Sequence, residues 1–193
     1  EGAPQAETLS LSKIAKINPP PVKWTGNVTL GAAFTRGNSV QDQASLDFKA
    51  ERRSDDDRIT LKGFYYSTRT EDPTTGQKST SQFQFGGSGQ YDYFLSKTVY
   101  AFVNVAWMKD RVAHLDYGFS PTAGLGKQWY ESDDLNWKTE VGLGWVAEKF
   151  TNGSDSNRYF ASRVSNHIYA VLFEGLKGFH DVDWYPSLED KDD

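Results

Sequence analysis

The chain has 193 residues, a formal net charge of -5 and no cysteine. The lack of cysteine excludes disulfides and thiolate metal sites within this sequence, and a mild negative charge without a basic cluster argues against nucleic-acid binding. With 6 Trp, 10 Tyr, 12 Phe and 17 Gly, the composition favours an all-β protein over a helical one. No stretch of about 18 apolar residues occurs, so the sequence predicts no transmembrane helix.

Residues 1–21 form a predicted flexible leader ahead of the first strand pattern. Thr8 to Ile17 has the spacing of one short amphipathic helix, and three prolines at 19–21 end it. A tether is a more ordinary interpretation of this segment than a functional helix. Because the first residues lack the basic start and apolar core of a signal peptide, we expect that an export signal has been removed. Residues 22–193 are the predicted folded domain.

A two-residue alternation begins at Trp24 and identifies the first strand. Trp24, Leu30 and Phe34 share the apolar parity, whereas Asn27 and Thr29 share the polar or small parity. Side chains alternate between the two faces of a strand. The first strand therefore has one apolar face and one polar face.

Eight further segments continue this alternation along the chain. They begin near residues 44, 59, 83, 99, 117, 135, 159 and 179. These starts are spaced more widely than the ~8–12 residues between turns of a soluble sandwich, and the spacing suits strands of about 9–11 residues that cross a bilayer at a tilt. Short predicted turns at 53–57, 95–98, 131–134 and 174–179 alternate with longer loops at 69–79, 109–116 and 149–157. Such alternation is typical of an up-and-down outer-membrane barrel.

The parity predicts which side chains of such a barrel face lipid and which face the lumen. Candidates for the lipid face and its aromatic girdles are Trp24, Leu30, Phe34, Phe85, Tyr91, Tyr93, Val103, Trp107, Trp129, Trp137 and Trp145. Candidates for the lumen are Asp47, Lys49, Glu51, Lys62, Gln84, Asn104, Lys138, Glu140, Arg163 and His167. The charged candidates could set ion selectivity or could only hydrate the interior, and the sequence leaves both open.

Two places break the alternation. Ser162 and Asn166 lie on the apolar parity of the eighth strand. Lys127 lies on the apolar parity of the sixth strand, near a rim where its amine could snorkel. We expect the strand pattern to be weakest in the third and eighth strands.

The sequence shows no convergent set of catalytic residues. His167 shares a face with Arg163 and has Ser162 and Ser165 nearby, but there is no nucleophile elbow and no third member of a triad. The acidic turn at 55–57 lacks the glycine and the terminal glutamate of a calcium loop. The prediction is therefore that the chain is not an enzyme and has no cofactor.

Several short motifs occur in the order found in a known bacterial family. They are Trp24-x-Gly26-x-Val28-x-Leu30-Gly31, Thr35-Arg36-Gly37-Asn38-Ser39, Tyr91-Asp92-Tyr93, Lys109-Asp110, Gly124-Leu125-Gly126, Gly142-Leu143-Gly144 and Tyr185-Pro186-Ser187-Leu188-Glu189-Asp190. Over about residues 22–190 the chain resembles the family named salt-induced outer membrane protein, the domain of unknown function 481. The resemblance implies an outer-membrane β-barrel without an established reaction, and family members usually run on for several more strands.

We therefore expect an all-β, antiparallel up-and-down transmembrane β-barrel, with eight or nine of about 12 strands in this chain. A ring in lipid must close, so further strands would complete it, or else the ring would close with about eight strands or with another copy of the chain. The expected function is that of an integral protein of the bacterial outer membrane, either porin-like or a stress-related envelope component. Its expected partners are the lipid bilayer, the barrel-assembly machinery, periplasmic chaperones and other envelope proteins or a second copy.

Two alternatives remain open from the sequence. A soluble lipocalin-like barrel would turn the apolar parity inward around a small apolar ligand. A membrane-embedded barrel enzyme would need a convergent Ser/His or acid pair, which the sequence does not show.

Overall fold

The computed structural model describes residues 22–151, 153 and 156–189, so the predicted leader and residues 190–193 lie outside the described part. The described residues form nine antiparallel strands and no helix. The strands are β1 (Trp24–Thr35), β2 (Val40–Arg53), β3 (Asp57–Glu71), β4 (Lys78–Phe94), β5 (Val99–Asp110), β6 (Leu115–Glu131), β7 (Leu135–Phe150), β8 (Asn157–Phe173) and β9 (Leu176–Trp184). A search of the same residues for a helix long and apolar enough to cross a membrane finds none.

The strands pair in chain order, from β1 to β9, within one sheet. Apolar positions pair with apolar positions, as Leu30 does with Leu46, and the lysines Lys49 and Lys62 pair on the other face. A slip of one residue would move every side chain to the opposite face, so the alternation itself fixes the register. The predicted all-β, up-and-down architecture is confirmed.

The sheet curls into a half-barrel. Arg58 of β3 donates a hydrogen bond to Gln128 of β6 at 2.8 Å, and Gln90 of β4 donates one to Glu140 of β7 at 2.8 Å. Strands three places apart in a flat sheet would be separated by roughly 14 Å, from ~4.8 Å per strand. These contacts therefore require curvature, and they lie on the concave face.

The strands are also staggered along the sheet, as in a barrel. One row of paired residues runs from Asp57 through Tyr93, Ala101, Leu125 and Val141 to Val164. The row starts at the first residue of β3 and ends in the middle of β8. Tilted strands produce such a shift. Within the described chain, β1 and β9 each pair with one neighbour, so both edges of the sheet are open.

The connections between strands define two rims. The short-turn rim contains residues 54–56, 95–98, 132–134 and 174–175, and the long-loop rim contains residues 36–39, 72–77, 111–114 and the connection after β7. The loops predicted at 69–79 and 109–116 are shorter than expected. β3 and β4 pair as far as Glu71 and Lys78, past a register shift after Thr68, and β5 and β6 pair as far as Asp110 and Leu115. Three strands accordingly reach 17 residues, beyond the predicted length.

Burial in this sheet is inverted relative to a water-soluble domain. Among the described residues, fourteen buried side chains are polar or charged and seven are hydrophobic. Most of the polar ones lie on the concave face. On the convex face, Leu30, Val103 and Leu143 are 76%, 56% and 65% exposed. A water-soluble protein seldom buries charge and exposes large apolar side chains in this way.

Candidate functional site

Glu140 of β7 is the centre of a polar network on the concave face. Its Oε1 accepts hydrogen bonds from Gln90 Nε2 and Tyr100 OH, both at 2.8 Å, and from Lys138 Nζ at 3.1 Å. Its Oε2 lies 3.0 Å from Arg163 Nη1, an ion pair without hydrogen-bond alignment. Glu140 is 1% exposed. A carboxylate buried to this extent needs such compensation by donors and cations.

A second buried ion pair extends the network towards the short-turn rim. Arg58 and Asp92 are 2% and 0% exposed, and Arg58 Nε donates to Asp92 Oδ2 at 2.6 Å. Arg58 Nη1 also donates to Gln128, and Gln90 Nε2 donates to Asp92 Oδ1 at 2.8 Å. The Arg58 guanidinium lies 4.8 Å from the centroid of the Tyr100 ring. Gln90 therefore links the two buried carboxylates.

Glycines of β6 and β7 make room for two aromatic rings beneath this network. A Cβ at Gly126 would overlap the ring of Tyr100, and a Cβ at Gly142 would lie 3.0 Å from Cζ of Phe102. Phe102 in turn packs against Arg163, whose guanidinium lies 5.1 Å from its centroid. These two glycines therefore allow the rings to lie close to the backbone of the sheet.

The last strand contributes two carboxylates to the same face. Arg163 Nη2 and Ser165 Oγ donate to Asp183 Oδ1 at 2.7 and 2.6 Å. His167 Nδ1 lies 2.6 Å from Asp181 Oδ1. Ser165 and His167 are thus each engaged by a carboxylate of β9, and no hydrogen bond between them is found among the described residues. This arrangement does not activate a serine nucleophile.

The predicted lumen residues all lie on the concave face, but they divide into two groups. Asn104, Lys138, Glu140, Arg163 and His167 belong to the network or border it. Asp47, Lys49, Glu51, Lys62 and Gln84 lie outside it. Within the second group, Asp47 accepts a hydrogen bond from the Tyr66 hydroxyl, and Gln84 donates one to Asp110 at 2.6 Å.

The residues predicted to face lipid all lie on the convex face. Trp24, Leu30, Phe34, Tyr91, Tyr93, Val103, Trp107 and Trp129 are exposed there, and Phe85, Trp137 and Trp145 are half-buried. Neighbouring rings contact one another on this face, with centroids 5.4 Å apart for Trp129 and Trp137 and 5.3 Å apart for Phe85 and Trp107. Their contact with lipid stays a prediction.

Sequence reasoning missed several members of the network. Arg58 follows an acidic turn and looks like a turn residue, while Tyr100 and Gln128 carry no formal charge that would single them out. Gln90 and Asp92 already lie on the polar parity of the fourth predicted strand. This parity predicts that both side chains face the interior, but it does not predict which residues they contact across the curved sheet.

The concave face changes character towards the long-loop rim. A cavity of about 360 Å³ lies there, a size within the range of small-molecule sites, which is ~300–1,000 Å³. Its lining includes the apolar residues Phe64, Met108, Leu115 and Val146. We call this space the apolar cavity. Its charged lining residues are Lys62 and Glu148.

The described residues contain no group of three or more His, Asp or Glu side chains placed to hold a metal ion. The carboxylates of the network are instead engaged by cations and hydrogen-bond donors. We therefore assign no metal or cofactor role to it.

The chain was compared with known protein families, curated proteins and solved structures. The family model described as "Protein of unknown function, DUF481" matches residues 28–193, which include nearly all of the nine strands. No curated protein and no solved structure matches the chain. The outer-membrane and salt-induced character implied by the sequence resemblance stays a prediction. Because the family model covers most of the chain, the protein belongs to the DUF481 family of proteins of unknown function.

Proposed function

We propose that this chain forms the wall of an integral β-barrel in the bacterial outer membrane, with an interior narrowed by the polar network. The observation that carries the proposal is the inverted burial: Leu30 and Leu143 are exposed on the convex face while Glu140 and Arg58 are buried on the concave face. In lipid this distribution is favourable, because the apolar surface meets hydrocarbon and the polar groups pair inside the ring.

The placement of aromatic side chains supports the same proposal. On the convex face, aromatic residues gather near the ends of strands at both rims. Near the short-turn rim these are Trp24, Tyr93, Trp129 and Trp137, and near the long-loop rim Phe34, Trp107, Phe119 and Phe160. Aliphatic side chains such as Val103, Leu125 and Leu143 lie between the two groups. Membrane barrels have this apolar band with an aromatic girdle at each interface.

The open edges of the sheet require a partner in this proposal. β1 and β9 each leave one side of the backbone unpaired within the described chain. Unpaired N–H and C=O groups cost several kcal/mol each in hydrocarbon. We therefore propose that additional strands, or a second copy of the chain, pair with these edges and close the ring.

The network limits what such a barrel could conduct. Side chains from β3, β4, β6, β7 and β8 meet across the concave face, so this half of the wall leaves little open lumen near the short-turn rim. A structural envelope component or a narrow pore fits this arrangement better than a wide porin. The lipid bilayer, the barrel-assembly machinery and periplasmic chaperones are the partners that such a protein requires, and no catalytic role is proposed.

The soluble lipocalin-like alternative needs the opposite polarity. A calyx of that kind would hold the apolar parity of β1 to β8 on its concave side. Here Leu30 and Val103 lie on the convex side. This observation favours the membrane barrel.

The test uses one substitution at two equally exposed positions. Leu143 lies in the middle of β7 and is 65% exposed, whereas Leu95 lies in a turn of the short-turn rim and is 60% exposed. In lipid, Leu143→Arg is expected to lower the free energy of unfolding by about 2–4 kcal/mol and Leu95→Arg by about 0–1 kcal/mol. The measurement is urea unfolding of the chain folded in phospholipid vesicles, followed by tryptophan fluorescence.

A soluble protein would respond differently, because both leucines would be in water. Both substitutions would then change stability by less than about 0.5 kcal/mol, and the chain would fold without vesicles. That result would overturn the membrane proposal. A gel comparison of unheated and heated samples gives an independent check, since a closed membrane barrel migrates faster before heating.

A further inference from the structure

The apolar cavity is unexpected on the face that carries most of the buried polar and charged side chains. Phe64, Met108 and Val146 occupy the same parity as the charged residues of β3, β5 and β7, yet they turn apolar surface inward. Gly118 also lines this space, and a Cβ there would make ordinary contacts with Leu115 and Met108 at 3.4 Å. A water-filled lumen has no need of such a lining. The cavity therefore has the properties of a site for an apolar group.

A smaller polar compartment adjoins the apolar cavity. It has a volume of about 120 Å³, and its lining includes four basic residues and one carboxylate, namely Lys62, Lys138, Arg163, His167 and Asp183. The two spaces share four lining residues: Lys62, Ser88, Ala106 and Tyr185. The two spaces therefore adjoin, and we treat them as one composite site with an apolar end at the long-loop rim and a basic end at the network.

Two groups at the basic end are available to a ligand. Lys138 and Arg163 are paired with Glu140, but Lys62 makes no ion pair at contact distance with any described residue, although Asp181 lies within its electrostatic range. Thr60 also lines this compartment, is 6% exposed, and its Oγ1 has no hydrogen-bond partner among the described residues. A buried hydroxyl without a partner is costly unless a ligand or water satisfies it.

We propose that this composite site binds a single-chain amphiphile with an anionic head, such as a fatty acid. The head contacts Lys62 and the Thr60 hydroxyl, and the tail lies against Phe64, Met108 and Val146 towards the long-loop rim. The cavity volume accommodates one apolar chain. This site lies on the concave face only, so ligand binding there does not depend on whether the convex face lies in lipid.

The experiment measures dodecanoate binding to the full chain by equilibrium dialysis. The chain is held in phospholipid nanodiscs if it folds in lipid, with empty nanodiscs subtracted, or in buffer if it folds there. We expect one saturable site. Lys62→Gln is expected to weaken dodecanoate binding by at least about tenfold, which corresponds to ~1.4 kcal/mol. Lys49→Gln is the matched control, because Lys49 pairs with Lys62 across the strands but does not line the apolar cavity, and its effect should stay within about twofold.

A neutral probe and a cavity-filling variant complete the test. Dodecanol should bind equally to the unsubstituted chain and to Lys62→Gln, since it lacks the anionic head. Ala106→Phe, at the boundary of the two compartments, should abolish binding of both probes in a chain that still folds; the Lys62→Gln result stands without it. Absence of saturable dodecanoate binding, or equal loss from Lys62→Gln and Lys49→Gln, would overturn the proposal.

Discussion

The two halves of the concave face have the same backbone architecture and opposite chemistry. Near the short-turn rim, Arg58, Asp92 and Glu140 are almost fully buried and joined through Gln90. Near the long-loop rim, the same parity of the same strands carries Met108 and other apolar residues around an open cavity. Ion pairs and hydrogen bonds hold the side chains of the network in place, although Arg58 Nη2 and Glu140 Oε2 have no hydrogen-bond partner among the described residues. Methionine, in contrast, adapts to different neighbours. One half is therefore closely packed with paired polar side chains, and the other half is apolar and open.

The largest expected difference between the halves comes from removing one carboxylate of β7. Glu140→Gln removes the only ion-pair partner of Lys138 among the described residues and one of the two carboxylates paired with Arg163, and breaking a buried pair in this way costs about 3–5 kcal/mol. Glu148→Gln makes the same change on the same strand and face, but Glu148 is half-buried beside the apolar cavity. We expect it to cost less than about 1 kcal/mol. Urea unfolding midpoints of the folded chain measure both.

The outcome of this pair decides whether the network stabilises the half-barrel. Equal losses for Glu140→Gln and Glu148→Gln would show that the network is not the more stable half. A further variant, Glu140→Leu combined with Lys138→Met, removes the buried carboxylate together with the lysine paired to it, while Arg163 keeps its ion pair with Asp183. It should recover part of the loss, because Lys138 no longer leaves a buried charge without a partner.

A second difference concerns two glycines of β6 that share the concave face. A Cβ at Gly124 would approach the backbone of Val141 and Gly142, whereas one at Gly118 would make only ordinary contacts at 3.4 Å with Leu115 and Met108. Gly124→Ala is therefore expected to cost about 1–3 kcal/mol through overpacking. Gly118→Ala should change stability by less than about 0.5 kcal/mol. Thermal or urea unfolding of the two variants, compared at one lipid composition, gives the difference.

A larger loss of stability for Gly118→Ala than for Gly124→Ala would contradict the proposed difference between the two halves. It would mean that the cavity half is already close-packed and that the network half has room for a methyl group. Gly118→Ala also supplies a control for the ligand site, since it reduces the apolar cavity without changing any charge.

The fold was predictable from the sequence because a period of two carries over into every strand pair. Once Leu30 is assigned to one face, pairing places Leu46 on the same face, and this continues across the sheet. The strand ends were less predictable. The ladder between β3 and β4 continues through polar residues as far as Glu71 and Lys78, where no hydrophobic alternation marks it.

Asn166 and Lys127, two of the three residues that break the alternation, have local explanations that the sequence alone could not supply. Asn166, on the convex face of β8, accepts a hydrogen bond from Trp137 Nε1 at 2.8 Å. The amine of Lys127 lies 3.9 Å from the centroid of the Trp129 ring, an arrangement that favours a cation on a mainly apolar face. Both partners lie on a neighbouring strand or two residues away. Parity predicts the face on which a side chain lies, but not the neighbouring residue that forms a hydrogen bond or a cation–π contact with it.

The candidate site was predictable only in part, for a geometric reason. Glu140 and Arg163 were assigned to the interior from parity, but the contacts that join them to Gln90 depend on curvature. Arg163 of β8 reaches Gln90 of β4 at 3.3 Å, four strands away. The alternation in the sequence predicts the face on which each side chain lies and the order of the strands. It does not predict how strongly the sheet curves.

The smallest expected effect concerns an ion pair at the short-turn rim. Arg53 Nε of β2 donates to Glu131 Oε1 of β6 at 3.0 Å, with side chains 27% and 36% exposed. This pair spans more strands than the Arg58 contact to Gln128 and closes the network half at its outer edge. Partly exposed pairs contribute about 0–1 kcal/mol, so Glu131→Gln should lower stability by no more than that. Arg53 also packs over Phe94, with the guanidinium 3.7 Å from the ring centroid, so Arg53→Gln alone should cost more.

A double-mutant cycle of Arg53→Gln and Glu131→Gln isolates the rim pair from the ring contact. The expected coupling energy is below about 1 kcal/mol, and it should fall as salt is added, because exposed charges are screened. A coupling above about 2 kcal/mol, insensitive to salt, would mean that the rim is as dry as the surroundings of Glu140. The buried polar network would then extend to the edge of the sheet at the short-turn rim. The water-excluded region would be larger than the exposed fractions of Arg53 and Glu131 indicate.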